Sequence, residues 1–241
     1  MSSDKQQHRG AHPEDRRLFA DEWLATLQIA TAELSWLLNR GYPITASLKL
    51  AGDRHRLNER QRMAIARAAC SDERRAQRLA SRVEELDVRE AELIVDGFNL
   101  LITIEAALSQ GVLLLCRDNC IRDLASVHGS YRSVQETDRA LQLIGETLAA
   151  LAPRSVRWLL DKPISNSGRL AAKIRELAEQ HGWPWEVEVI FNPDSAIVAA
   201  QQIAVSSDAI VLDGSRHWFD LKSHLIQQHL PNAWLVDLRE D

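Results

Sequence analysis

From Leu93 onward the chain alternates short apolar runs with stretches of helical spacing, and four of those runs end at or just before an aspartate. Leu93-Ile94-Val95 stops at Asp96, and Val156 to Leu160 stops at Asp161. The run from Val187 to Phe191 leads into Asn192-Pro193-Asp194, and Val205-Ser206-Ser207 leads into Asp208. Strand-length runs alternating with helices confine a chain to a parallel sheet with helices on its faces. In such a sheet the C-terminal strand ends lie side by side along one edge, which is where ligands bind. Aspartates far apart in sequence are therefore expected to meet in space. Clustered carboxylates repel one another unless a cation neutralises them, and all-oxygen donors suit a hard divalent ion. A Mg²⁺ or Mn²⁺ site for phosphate chemistry is the first expectation.

The pattern before Leu93 is different. Leu18, Trp23, Leu24, Leu27, Leu34, Trp36, Leu37 and Leu38 recur near helical spacing over 15–39, and Gly41 with Pro43 ends the run. Residues 48–56 read as a connection. Asn58 is placed to cap a helix through about Ala69, and Ser71, followed by Asp72 and Glu73, to cap the next. The chain thus divides into an all-helical part, 1–88, and an α/β part, 89–241. Charge divides in the same way: residues 1–90 carry +2 and the remainder −7, out of a net −5. Between 53 and 82 there are nine arginines (54, 56, 60, 62, 67, 74, 75, 78, 82) against four acids. A basic module beside an acidic one suits a phosphate grip next to a metal site. The competing reading is a pair of solvated helices laced with ion pairs.

In the second part, strands are expected at 92–96, 112–116, 155–160, 185–191, 204–206 or 209–212, and 233–237, with helices between them. The stretch 117–132 is polar and reads as a loop. The most apolar segment, Leu93 to Cys116, is broken by Asp96 and Glu105, so no membrane span is expected. The first 17 residues are polar and lack the apolar core of a signal peptide. Three cysteines without a disulfide pattern suit a reducing cytoplasm. Cys116 and Cys120 lack the second Cys/His pair that a zinc site needs.

Among the motifs, Asp96-Gly97-Phe98-Asn99 is the sharpest. Gly97 permits a tight turn after the strand, leaving Asp96 at the sheet edge with Asn99 aimed at the same place from the first helical turn. An Asp-Gly turn with an asparagine cap would look the same. After Asp161, the residues Lys162, Ser165 and Asn166 lie in a polar loop before a helix, where N–H and hydroxyl donors meet phosphates. The segment holding Arg122, His128, Tyr131 and Arg132 concentrates groups that grip phosphate or stack on a base, or that simply satisfy one another. Glu105, Asp213 and Asp220 are candidate additional acids.

The order of these motifs resembles that of the PIN-like nucleases, especially their NYN branch. There a first strand ends in Val-Asp-Gly-Tyr-Asn, a later strand ends in Asp, a helix starts Ala-Asp-Ser-x-Ile, and a Ser/Thr-x-Asp strand end follows. This chain offers Asp96-Gly97-Phe98-Asn99, Asp161, Asp194-Ser195-Ala196-Ile197 and Ser206-Ser207-Asp208 in that order. Phe98 stands where the branch has Tyr, Pro193 where it has Ala, and 112–151 is longer than a compact PIN core needs. The whole chain also resembles an uncharacterised prokaryotic two-domain family with a helical N-terminal half. The resemblance implies a PIN/Rossmann-like α/β fold and a metal-dependent ribonuclease. Asp96, Asp161, Asp194 and Asp208 would be its metal ligands and catalytic carboxylates. Asn99 and Ser206 would orient water or phosphate, and Arg122, His128, Arg132, Lys162, Ser165 and Asn166 would contact RNA, or DNA. A non-catalytic RNA-binding protein on the same fold is the alternative. A homodimer is compatible with either.

Overall fold

The computed structural model describes residues 8–125 and 129–239. A short helix α1 (Asp15–Leu18) precedes α2 (Asp21–Leu38), and the expected single helix over 15–39 breaks at Phe19 and Ala20. Helix α3 (Ile44–Arg54) replaces the connection expected at 48–56. Pro43 supplies an extended N-cap for it, and Ser47 Oγ donates to the Pro43 carbonyl. The sequence hid this helix because its polar residues outweigh the few that it buries, among them Ser47 and Ala51. Helix α4 (Glu59–Ala68) opens with Asn58 and Gln61 in a reciprocal capping box, and α5 (Asp72–Ser81) opens on the Ser71 hydroxyl, both as the caps foretold. A single turn, α6 (Glu85–Val88), leads into the α/β part.

Strand β1 (Glu92–Asp96) runs directly into α7 (Gly97–Leu108). Next come β2 (Leu113–Leu115), β3 (Ile121–Asp123) and α8 (Thr137–Leu151). Then β4 (Ser155–Asp161), α9 (Ser167–His181), β5 (Trp185–Ile190) and α10 (Pro193–Ala199) alternate. The chain finishes with β6 (Ile203–Val205), α11 (Ala209–Gly214), α12 (Leu221–His229) and β7 (Leu235–Asp237).

The main sheet is fully parallel, in the order β5-β4-β1-β6. Both of its faces are covered. Leu93 and Val95 enter one core with Val156, Trp158 and Leu160, while Ile94 and Leu159 face the opposite one with Trp218 and Val211. This two-residue alternation is why β1 reads as a continuous apolar run. The expected strands at 112–116 and 233–237 form, but they leave the main sheet. They join β3, inside the stretch expected to be loop, in a second sheet ordered β3-β2-β7. Its Val112, Leu114, Cys116 and Val236 pack with Leu27, Leu34, Ala64 and Ile65 of α2 and α4. The helical part and the α/β part therefore share a core.

Gly97 has a different role from the turn that the sequence suggested, because its φ is not positive. A β-carbon there would lie 2.6 Å from Leu160 Cδ2 and 3.0 Å from the Leu159 carbonyl oxygen. Its bare backbone lets the start of α7 sit against β4. Gly97→Ala is expected to lower stability by about 1–3 kcal/mol, the usual cost of overpacking. Urea denaturation would detect the loss; an unchanged midpoint would contradict this account of the close approach to β4.

Candidate functional site

Sheet order decides where a site forms. From β1 the chain steps to β4 and β5 on one side and then returns to place β6 on the other. The switch point of the sheet therefore lies between β1 and β6, where α/β folds leave a crevice beyond the strand ends. Asp96 closes β1, and Ser206-Ser207-Asp208 follows β6 directly.

Asp96 is held from several sides. As the N-cap of α7, its Oδ1 accepts the Asn99 backbone N–H at 3.3 Å. Its Oδ2 accepts the Ser206 hydroxyl at 2.9 Å. The Ser206 oxygen in turn accepts the Asp208 N–H at 3.0 Å. Asn99 uses its side-chain oxygen to receive the Ser207 N–H at 2.9 Å. Asn99 and Ser206, expected to orient water or phosphate, thus pin the loop after β6 to the start of α7. Burial raises the Asp96 carboxyl to about 6, against the downward pull of the Ser206 hydroxyl and of Lys222.

A pocket of about 310 Å³ opens at this edge, lined by Asp96, Asp161 and Asp194 together with Phe98, Ile164 and Ile210. Asp194 lies in the first turn of α10, where burial and the charges of Asp208 and Asp161 raise its carboxyl. Asp208 caps α11 through the Ile210 N–H at 2.8 Å. It lines the adjoining cleft of about 560 Å³, which shares Phe98 and Ile164 with the carboxylate pocket. Three of the four aspartates are brought into one pocket, and the fourth stands next to it. Among the described residues, no three His, Cys, Asp or Glu side chains are gathered into a ready ion-binding group.

The other expected contacts divide. Lys162 extends from the end of β4 and rests its ammonium 4.8 Å from the centre of the Phe191 ring. Ser165 bonds through its backbone to Gly129 and Tyr131, and Asn166 donates its side-chain amide to the Tyr131 carbonyl. These two serve the local fold and line neither cavity. Arg132 is exposed, and its carbonyl accepts from Arg9. It too lies outside both linings. His128 falls outside the described residues. Arg122 lines the cleft, but its guanidinium turns inward: it grips both oxygens of Asp118 at 2.8 and 2.7 Å and donates Nε to the Ser207 carbonyl. It positions the loop after β6 rather than offering a charge to a ligand. Glu105 is fully buried and bonded to Arg9, to the Tyr131 hydroxyl and to Thr137, so its role is structural.

The arginine cluster is also largely committed. Arg54, Arg60, Arg62, Arg67, Arg74, Arg78 and Arg82 each pair with an acid, and the partners lie on other elements. The ion-pair reading of that cluster fits better than an open phosphate grip. One residue had no signal at all in the sequence. Lys222, in α12, is almost completely buried, and its ammonium donates to Ser207 Oγ at 2.7 Å. Burial lowers it to about 8, while Asp123 and Asp96 favour its charge. It is a fixed cation behind the carboxylate edge.

The family model described as a domain of unknown function (DUF5616) matches residues 85–224. A second, described as a protein of unknown function (DUF434), matches residues 26–80. An uncharacterized protein of Methanocaldococcus jannaschii is 30% identical over 187 residues, covering 77% of this chain and 89% of that protein. No solved structure matches the chain.

Because burial raises Asp96, its ionisation opposes folding. Its contribution is most favourable below the unfolded carboxyl value near 3.8 and is lost as pH rises through about 6. In EDTA, Asp96→Asn keeps an oxygen to accept the Asn99 N–H, and its amide can donate to the Ser206 oxygen once that hydroxyl turns to Asn99, while the buried charge is removed. It is expected to stabilise the protein by about 1–3 kcal/mol at pH 7.5 and by far less at pH 4. Denaturation curves at the two pH values check this; equal effects at both would contradict it.

Proposed function

This chain belongs to the DUF5616 family, and we propose that it is a Mg²⁺- or Mn²⁺-dependent nuclease that hydrolyses RNA phosphodiesters at the carboxylate pocket. One observation carries the reading. Asp96, Asp161 and Asp194, from three separate segments, line one pocket, and Asp208, from a fourth, lines the cleft that adjoins it. Desolvated like charges cost stability, and a bound cation relieves that cost. The reading also extends the resemblance of the aspartate motifs to PIN/NYN nucleases.

The residues fit such an ion. Their donors are all carboxylate oxygens, and Mg²⁺ keeps several waters while taking only one or two carboxylates directly. A roomy pocket whose carboxylates are not already packed around a centre suits it. Asp96, Asp161 and Asp194 would hold the ion, with Asp208 at the mouth. When bound, it would lower the pKa of a water and stabilise charge developing on the phosphorus. The chain's own part is preorganisation. Ser206 and the Asn99 backbone fix the orientation of Asp96. Lys222 supports that loop from behind through Ser207. Phe98 and Ile164 form an apolar wall that limits water at the reacting centre.

A non-catalytic RNA-binding protein on the same scaffold is the second reading; the Lys162 ammonium beside the exposed Phe191 ring gives it a contact surface that needs no metal. In either case the chain would act in the cytoplasm, where its three free cysteines stay reduced. No helix among the described residues is long and apolar enough to cross a membrane.

Incubation with labelled RNA in Mn²⁺ or in EDTA tests the proposal. Cleavage is expected only with the metal, and the Asp96→Asn/Asp208→Asn double variant should lose about a hundredfold or more of the rate. Activity that survives in the double variant would contradict the site. RNA binding by a folded protein that never cuts would favour the second reading.

A further inference from the structure

Two large apolar side chains stand in solvent, one in the lining of the carboxylate pocket and one a residue before that lining in sequence. Phe191 is 64% exposed and Ile210 is 66% exposed, and Ile210 lines the pocket itself. Phe191 occupies the single position between the last residue of β5 and Asn192, which begins the pocket lining on that strand. The backbone there is not free to drift: the Lys162 N–H donates to the Ile190 carbonyl at 2.8 Å, and Asp161 pairs in register with Ile190. The ring is thus anchored one residue beyond the strand pairing, on the same edge as Asp161 and Asp194. Lys162, next to Asp161 in sequence, holds its ammonium 4.8 Å from the ring centre.

An exposed aromatic ring costs solvation free energy, and a cation beside it on an otherwise acidic edge invites a particular kind of occupant. The occupant needs a flat apolar face for the ring and a negative group for the ammonium. A nucleotide with its base unstacked from its neighbours offers both, whereas a base inside a duplex keeps its faces covered. We infer that Phe191, with Lys162 beside it, forms a stacking subsite for an unpaired nucleobase next to the phosphate in the pocket, whose lining includes the exposed Ile210. The subsite rests on the nuclease reading for the position of that phosphate, but base stacking itself requires neither the metal nor cleavage. It makes an unpaired strand the preferred substrate and duplex the poorer one.

The test uses the full chain in EDTA with a single-stranded RNA oligonucleotide carrying 2-aminopurine, and with the same oligonucleotide annealed to its complement. The single strand is expected to be quenched on binding and to bind more tightly than the duplex. Phe191→Ala, a truncation at an exposed position, should remove the quench and weaken single-strand binding about tenfold, with little change for the duplex. Phe191→Tyr should restore both. An unaltered quench and affinity in Phe191→Ala would overturn the subsite, as would equal affinity of the native chain for strand and duplex. These outcomes are separable from those of the nuclease reading. Binding and quenching by a protein that never cuts would keep the subsite and remove the activity, while metal-dependent cutting indifferent to Phe191 would do the reverse.

Discussion

Asp118 receives two guanidinium groups at a point that solvent does not reach, and the arrangement of the carboxylate edge depends on that contact. Arg122 meets both of its oxygens, and Arg78 reaches one of them at 2.6 Å. Burial alone would push this carboxyl up. The two arginines more than reverse it, and the group is held near 2. Each guanidinium then reaches onward, Arg78 to Asp213 in α11 and Arg122 to the Ser207 carbonyl. One carboxylate thereby joins the helical part, the β2–β3 hairpin and the loop that carries Asp208. A buried pair of this kind adds little net stability over an apolar contact of the same shape, yet leaving one partner alone is costly. Its value here is geometric, because it fixes the relative positions of three segments distant in sequence.

The loop fixed in this way is also the loop that meets Asp96. Ser207 accepts Arg122 on its carbonyl and Lys222 on its hydroxyl oxygen, and donates its N–H to the Asn99 side-chain oxygen. Ser206 meets Asp96 itself. Acidic groups that repel one another would drift apart on flexible loops. Here Asp96 and Asp208 are held by N–H and hydroxyl donors to their own carboxylates, and the loop after β6 is backed by a buried ammonium and a buried guanidinium. In the metal-site reading, such a frame would hold the carboxylates in place before the ion arrives, as a preorganised site requires. The Asp161 side of the pocket is built differently, from strand ends whose register places Asp161 beside Ile190. The loop after β6 is thus tied to Asp96, while the paired ends of β4 and β5 set the position of Asp161.

Local signals were legible in the sequence and long-range ones were not. Asn58 and Ser71 announced their helices because capping is decided within four residues. Strand β1 announced itself because burial on both faces leaves an unbroken apolar run, and β4 because only Arg157 interrupts its run. Helix α3 was hidden by its polar surface, and β3 by its three-residue length within a polar segment. The second sheet could not be read because β7 arrives from the far end of the chain to pair with β2. The same limit affected the site. Asp96, Asp161 and Asp194 stood out by position at run ends, but the inward turn of Arg122 depends on its partners and the burial of Lys222 on tertiary packing. Seven arginines that looked like a phosphate grip are paired with acids on other elements, and composition cannot reveal a partner brought near by folding.

The central claim is that the carboxylate pocket at the C-terminal edge of the main sheet is a divalent-cation site built from carboxylates that repel one another until the ion binds. Titration of the metal-free chain with Mn²⁺, followed by the loss of the free-ion electron paramagnetic resonance signal, addresses it most directly. Saturable binding at the native pocket, much weakened in Asp194→Asn while the fold is retained, is the expected result. No saturable uptake by the folded protein, or uptake unchanged in Asp194→Asn, would contradict it.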